Sequence, residues 1–414
     1  MKTDKLTKLE KFWVMYDVGN SAFVLLVATI MPIYFNALCE GAGIAEVDYL
    51  AYWGYAASIS TLIVALSGPV LGTLADYKGL KKKLFGVSAM LGICALAALW
   101  VPSSWKMFLV MFIIAKVGYS SSLIFYDSML ADITTPDRMD AVSSHGYAWG
   151  YIGSCVPFVV SLVCVLFYDK IGLTISTAMI IAFVINALWW LVCTLPILKN
   201  HKQIYFVEHE EGNMIINSFR RLGDSLKKLR QHRKIFLFLI AFFCYIDGVY
   251  TIIDMATAYG TALGLDTAGL LGALLVTQIV AFPSALICSS LAKKYNNAKL
   301  IEICIIAYTC IALFAIQLDK QWEFWVLAFC VGMFQGGVQA LSRSYFAQII
   351  PPENAGEFFG LFDICGKGAA FIGTALVSII AQVTGKMSIG ISVIVLLFII
   401  GLFLFRKSQK STVL

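Results

Sequence analysis

The chain has 414 residues, 60% of them hydrophobic and only 14% charged, with a mean hydropathy of +0.82 and a net charge of +6. Ordinary soluble domains are about 45–50% apolar and about 25% charged. This composition excludes a soluble fold and predicts an all-α protein that crosses a membrane many times. The excess of positive charge falls in loops between apolar stretches, so it reads as a topology signal and not as a nucleic-acid surface.

Hydrocarbon about 30 Å thick needs about 20 mostly apolar residues per helix. Twelve such stretches begin near residues 12, 49, 84, 107, 144, 172, 235, 268, 300, 322, 358 and 387. The first, KFWVMYDVGNSAFVLLVATIMPIYFNAL, follows the basic leader MKTDKLTKLEK. Its apolar part is too long for a signal-peptide core and no small-residue cleavage site follows, so it is expected to remain as helix 1. Ten of the 11 cysteines fall inside apolar stretches, the exception being Cys39, which predicts buried thiols and no disulfide framework.

Lysine and arginine crowd residues 2–11, 78–83, 199–234, 293–299 and 406–410, whereas the alternate loops hold only Lys106, Lys170, Lys320 and Lys386. The positive-inside rule then places both termini in the cytoplasm. Between the sixth and seventh stretches lies the single long polar segment. Within it Ile215, Phe219, Leu222, Leu226 and Leu229 recur at helical spacing among basic residues, predicting an amphipathic helix on the cytoplasmic membrane surface. The segment divides the chain into a six-helix bundle over residues 1–198, a cytoplasmic linker over 199–234 and a second six-helix bundle over 235–414.

The two bundles repeat one another weakly. GTLADYKGLKKKL after helix 2 is matched by SSLAKKYNNAKLI after helix 8. FYDSMLADITTP on helix 4 is matched by LSRSYFAQIIPP on helix 10, which sets Asp127 opposite Arg343, and YDVG on helix 1 is matched by YIDG on helix 7.

Residues 72–84 resemble the loop motif of the major facilitator superfamily, Gly-x-Leu-Ala-Asp-Arg-x-Gly-Arg-Lys, with Tyr77 and Leu80 at the two Arg positions. WVMYDVGNSAF, GYAWGYIGS, CYIDGVYTI, QIVAFP, FQGGVQALSRSYFAQIIP and EFFGLFDICGKGAAFIG resemble the vacuolar amino-acid effluxer-like branch of that superfamily. The resemblance implies twelve helices in two pseudo-repeat bundles and a secondary transporter working by alternating access, with amino-acid efflux known for part of the branch. It also implies a conformational role for Gly72, Asp76, Gly79 and Lys81. Lys293 stands where the first half has Asp76, so a symmetric second latch is not expected.

An ionisable residue within the membrane is a functional candidate, because it costs roughly 2.5–3.5 kcal/mol even on insertion scales. At 1.5 Å per residue, Asp17, Asp127, Asp247 and Arg343 all fall about 27–33 Å from the outer surface, forming an expected inner gate. Lys116, Asp254 and Lys367 fall about 14–18 Å deep and form an expected middle layer, a substrate or proton site to which Asn20 and Gln339 also belong. Lys116 with Asp127, and Asp247 with Asp254, each share one helix face. Asp363 and Lys367 sit i, i+4 in the favourable order, so mutual neutralisation competes with a substrate role there.

Two midplane cations against one acid favour a zwitterionic or anionic solute, with proton coupling through Asp254 or Asp247. One alternative is efflux of hydrophobic or cationic compounds along Tyr16, Tyr119, Tyr126, Tyr245, Tyr250 and Tyr259. Another is a non-transporting receptor or scaffold. The chain carries no metal-ligand spacing, nucleophile–base pair or Walker sequence, so no enzyme, metal or cofactor is expected. Short loops without an Asn-x-Ser/Thr acceptor point to a bacterial inner membrane, and a monomer is expected.

Overall fold

A computed structural model describes residues 5–101, 104–208, 214–229, 232–262, 264–384 and 387–411. Lys2 and Lys386, which enter the loop-charge pattern, lie outside the described residues. The described residues form the α-helices α1 (Lys8–Ala28), α2 (Ile30–Gly41), α3 (Glu46–Ala75), α4 (Lys81–Ala97), α5 (Trp105–Ser128), α6 (Leu130–Ile133), α7 (Met139–Leu166), α8 (Ile175–Asn200), α9 (Met214–Leu229), α10 (Arg233–Ala262), α11 (Thr267–Ala292), α12 (Asn297–Ile316), α13 (Gln321–Ile349), α14 (Ala355–Thr384) and α15 (Met387–Gln409). The only sheet-like pairing among them is an isolated bridge between Tyr77 and Val207.

Among the described residues, 11 helical segments are long and apolar enough to cross a membrane. The twelfth expected span is α4, which has 17 residues, the first three of them Lys81, Lys82 and Lys83. The first span is broken into α1 and α2 at Thr29, where the backbone leaves the helical region. Pro32 explains the break: it has no N–H to give the carbonyl of Ala28, and the Thr29 hydroxyl turns back to the Leu25 carbonyl at 2.5 Å.

The start of α1 is set by a capping box in which Thr7 and Glu10 satisfy each other's backbone N–H groups. That end of the molecule also carries the end of α3, the start of α4, α6 and the end of α13, and is called the basic end below. Leu66, Val87, Leu188, Leu396 and Phe403 are exposed on outer helix faces, the arrangement a hydrocarbon solvent requires. Inside, α1 packs on α7 and α8, and α4 on α5 and α8, while α10 packs on α14 and α15, and α12 on α13 and α15. The two sets meet where α3 lies along α14 and where α7 lies along α11 and α13.

Helix approach at these seams depends on missing side chains. Gly146, Gly150 and Gly153 on α7 face Asp17, Ser21 and Val18 of α1, so the two backbones come close enough for α1 to bring its polar face inward. Gly72 on α3 lies against the carbonyl of Gly356, and Gly360 against Gly68, leaving no room for a Cβ on either side. Each set also carries a buried tyrosine–serine hydrogen bond between its first helix and a neighbour. The Tyr16 hydroxyl on α1 bonds Ser122 of α5 at 2.5 Å, and the Tyr245 hydroxyl on α10 bonds Ser342 of α13 at 2.7 Å.

The linker helix departs from expectation. α9 does not lie on the membrane surface alone: it packs on α3, Arg221 stands 3.7 Å from the buried Glu357, and its guanidinium lies over the Tyr77 ring. Ile216 and Phe219 remain exposed on its other side.

Candidate functional site

The polar residues of the interior occur at three levels, counted from the basic end. At the end itself, Asp76 follows α3 and accepts hydrogen bonds from the backbone N–H groups of Gly356, at 2.7 Å, and Glu357, at 3.0 Å. It therefore caps α14, a helix 280 positions away in sequence, and its carboxylate meets the positive end of that helix dipole. Gly72 permits the contact by bringing the two backbones together. Gly79 turns the loop at φ 76° and donates to Gln203 at 2.9 Å.

Lys81 is fully buried. It donates to Asp132 at 3.1 Å, which also accepts from the backbone N–H groups of Ile204 and Tyr205 and lies 3.2 Å from His201. Burial alone would raise the Asp132 carboxyl, but the His201 contact, the Lys81 ammonium and the Tyr205 N–H outweigh it and hold it below the ordinary carboxylate range. Asp132 and His201 are absent from the sequence reading, because nothing local in either segment marks them as partners.

One level further in, Arg343 of α13 is gripped by the opposite set of helices. Its Nη1 donates to Asp127 of α5 at 3.0 Å and to Asp17 of α1 at 3.3 Å, and its Nη2 donates to Asp17 at 3.2 Å. The Nε donates to the Ser143 hydroxyl at 2.9 Å and Nη2 to the Ser143 carbonyl at 3.1 Å. Trp13 and Tyr147 cover the guanidinium, with centroids 4.6 and 4.4 Å away. Arginine suits this place because its planar fork serves several acceptors while its faces stack on rings. Asn20 donates to the Tyr16 carbonyl at 2.9 Å and to Asp17 at 3.4 Å, so it orients the gate acid and does not line an open site.

Asp247 is the expected gate residue that the structure does not bring to this cluster. It is fully buried, accepts from the Thr251 hydroxyl at 3.4 Å and abuts Gly373 of α14. Its depth is right but its helix face points toward α14. A second tie not foreseen lies near the same level: Asp140 of α7 accepts from Asn297, Ser344 and Gln348 on α12 and α13.

The third level is the middle layer. Lys367 is already neutralised by Asp363 at 2.5 Å and donates to the Ser120 carbonyl of α5 at 3.3 Å. Lys116 reaches no carboxylate: its contacts are the Ala57 carbonyl at 3.5 Å and the Phe112 ring. Asp254 is exposed in mid-helix and makes no hydrogen bond or ion pair among the described residues. It lies within electrostatic range of Lys116. Gln339 is buried and accepts from the Tyr151 hydroxyl at 3.4 Å. Accessibility thus rises away from the basic end, from Arg343 at 2% and Asp17 at 7% to exposed Asp254.

This fold of long helices, tied by cross-set polar contacts at one end and accessible in the middle, is that of a transporter of the major facilitator superfamily, as its relatives show. The chain belongs to the Atg22-like family, described as "Vacuole effluxer Atg22 like", whose profile matches residues 7–139 and 131–411. It is 41% identical over 413 residues to the uncharacterized MFS-type transporter YxiO of Bacillus subtilis (strain 168), covering 99% of this chain and 96% of that protein. It is 24% identical to autophagy-related protein 22 of Coccidioides immitis (strain RS), covering 83% of this chain and 69% of that one. Its fold is similar to the crystal structure of the transporter FucP in the outward conformation, with a TM-score of 0.71 at 12% identity over 98% of each chain.

Proposed function

We propose that this transporter carries a small zwitterionic, amino-acid-like solute by alternating access. Residues 1–198 and 235–414 move as two bundles joined by the linker 199–234, and the basic end faces the cytoplasm of a bacterial cell. The observation that carries the reading is the pair of unmatched charges in the middle layer. With Lys367 occupied by Asp363, what remains is one free ammonium, Lys116, and one free carboxylate, Asp254. Charges without an ionic partner at mid-membrane depth favour a ligand that completes them. A zwitterion completes both, its carboxylate on Lys116 and its ammonium on Asp254, whereas an anion leaves Asp254 and a cation leaves Lys116 unmatched. The tyrosine-lined alternative loses support, since Tyr16, Tyr126 and Tyr245 are fully buried within the packing.

The test is a thermal-shift screen of amino acids, monocarboxylates, amines and hydrophobic cations on the purified chain. A solute at about 100 times its Kd stabilises the folded state by about 2.7 kcal/mol. Neutral amino acids should stabilise the wild type and neither Lys116→Ala nor Asp254→Asn. Equal stabilisation by simple carboxylates, or binding that survives both substitutions, sinks the reading.

A further inference from the structure

From the gate to the middle layer the interior holds Asp17, Asp127, Asp247, Asp254 and Asp363 against Arg343, Lys116 and Lys367, with Asp247 set apart from the others beside Thr251 and Gly373. Asp363 and Lys367 cancel as an ion pair, and Lys116 stands opposite Asp254. At the gate itself one negative charge is in surplus, because Arg343 alone faces two carboxylates. Two acids sharing one guanidinium in a low-dielectric site leave one negative charge uncompensated, and a further positive charge relieves it. A zwitterionic solute, being neutral, does not.

The two acids are not equivalent. Asp17 holds both terminal nitrogens of Arg343 and also accepts from Asn20. Asp127 makes a single bond to Arg343 through Oδ1, and its side chain is 19% exposed against 10% for Asp17. The geometry points to Asp127 as the proton-binding group of this transporter: a proton arriving through the accessible middle layer settles on its free oxygen and loosens the clamp on Arg343. The inference rests on the alternating-access reading above and moves the proton site away from Asp254 and Asp247.

The proton comes from solvent and stays on the carboxyl, so the contact with Arg343 changes from an ion pair to a hydrogen bond with only one charged partner, which loses the mutual Coulomb attraction. The groups around Asp127 are Asp17 and Tyr16 from α1, Tyr147 from α7, Tyr250 from α10, Arg343 from α13, Asp363 from α14 and Tyr119 and Tyr126 on its own helix. The nearby cation of α4, Lys81, is committed to Asp132 and the Ser128 carbonyl. α3 carries no acidic or basic residue between positions 49 and 75. Among the described residues, then, no second cation pairs with the gate acids.

The experiment uses the full chain in nanodiscs without solute, carrying Ala340→Cys, a fully buried position whose carbonyl accepts from Ser143 at the α7–α13 seam. Maleimide labelling, corrected for the parent chain, should rise several-fold when mildly alkaline buffer is replaced by mildly acidic buffer. Asp127→Asn should give the high rate at both pH values, Asp127→Glu should keep a pH response, and Asp254→Asn should respond like the parent. A response that survives Asp127→Asn, disappears in Asp254→Asn, or follows sodium at constant pH overturns the assignment. Because no solute is present, a failed zwitterion screen leaves this result standing, and the reverse holds as well.

Discussion

The gate and the middle layer are built from the same residue types, carboxylates and cations on the pore-facing helices, yet they are in opposite states. Arg343 has an acceptor for every N–H direction and two rings over its faces. Among the described residues Lys116 and Asp254 have no ionic partner. Charges that satisfy one another hold a conformation, and charges left unsatisfied hold a ligand. The two layers lie only about 17 Å apart along α5, eleven residues from Lys116 to Asp127, so one helix carries both kinds of site.

The comparison is broken most severely by removing the central cation. Arg343→Met should leave Asp17 and Asp127 buried without a cationic partner, a loss of about 3–5 kcal/mol for a broken buried pair. Thermal unfolding in detergent should show a large drop in Tm. The same measurement on Lys116→Ala should show little or no drop, because that ammonium has no carboxylate to lose; a drop matching that of Arg343→Met would mean that the middle layer is structural too. A gentler version is Gly146→Ala. The added Cβ meets Asp17, Arg343 and Trp13 at once, so α1 and α7 must part and the gate should open, read as faster labelling at the Ala340→Cys reporter.

How far the sequence carries these layers is clear from single residues. Depth counting at 1.5 Å per residue places Asp17, Asp127 and Arg343 at one level, and they do meet. The same arithmetic puts Asp247 there, but depth leaves rotation about the helix axis open, and Asp247 turns to Gly373. The i, i+4 order of Asp363 and Lys367 foretells their pairing because both partners lie on one helix. Asp132 and His201 are 69 positions apart, in segments whose approach is decided only once α4, α5 and α8 pack together. α9 was legible as a helix from its periodicity, but its docking on α3 depends on the buried Glu357, which a local pattern does not reveal.

The basic end supplies two smaller effects that sharpen the comparison, since its contacts are satisfied like those of the gate but involve no surplus charge. Asp76→Ala removes the cap from α14 and should cost about 1 kcal/mol, within the usual range for a lost helix cap. The cost falls only on the state in which α3 and α14 touch, so labelling at Ala340→Cys should rise modestly while its pH response stays intact.

The Asp132 cluster gives the smallest expected effect at neutral pH. Its folded-state carboxyl is held below its ordinary value of 3.8, so the stability it confers is fully present above that value and is lost as pH falls through the lower folded value. Hydrogen exchange at Ile204 and Tyr205, whose N–H groups Asp132 accepts, should therefore stay slow through the mildly acidic range that opens the gate, and quicken only in strong acid. Should protection there vanish together with gate closure, the acid response would belong to the whole basic end, and Asp127 would no longer be needed to explain it.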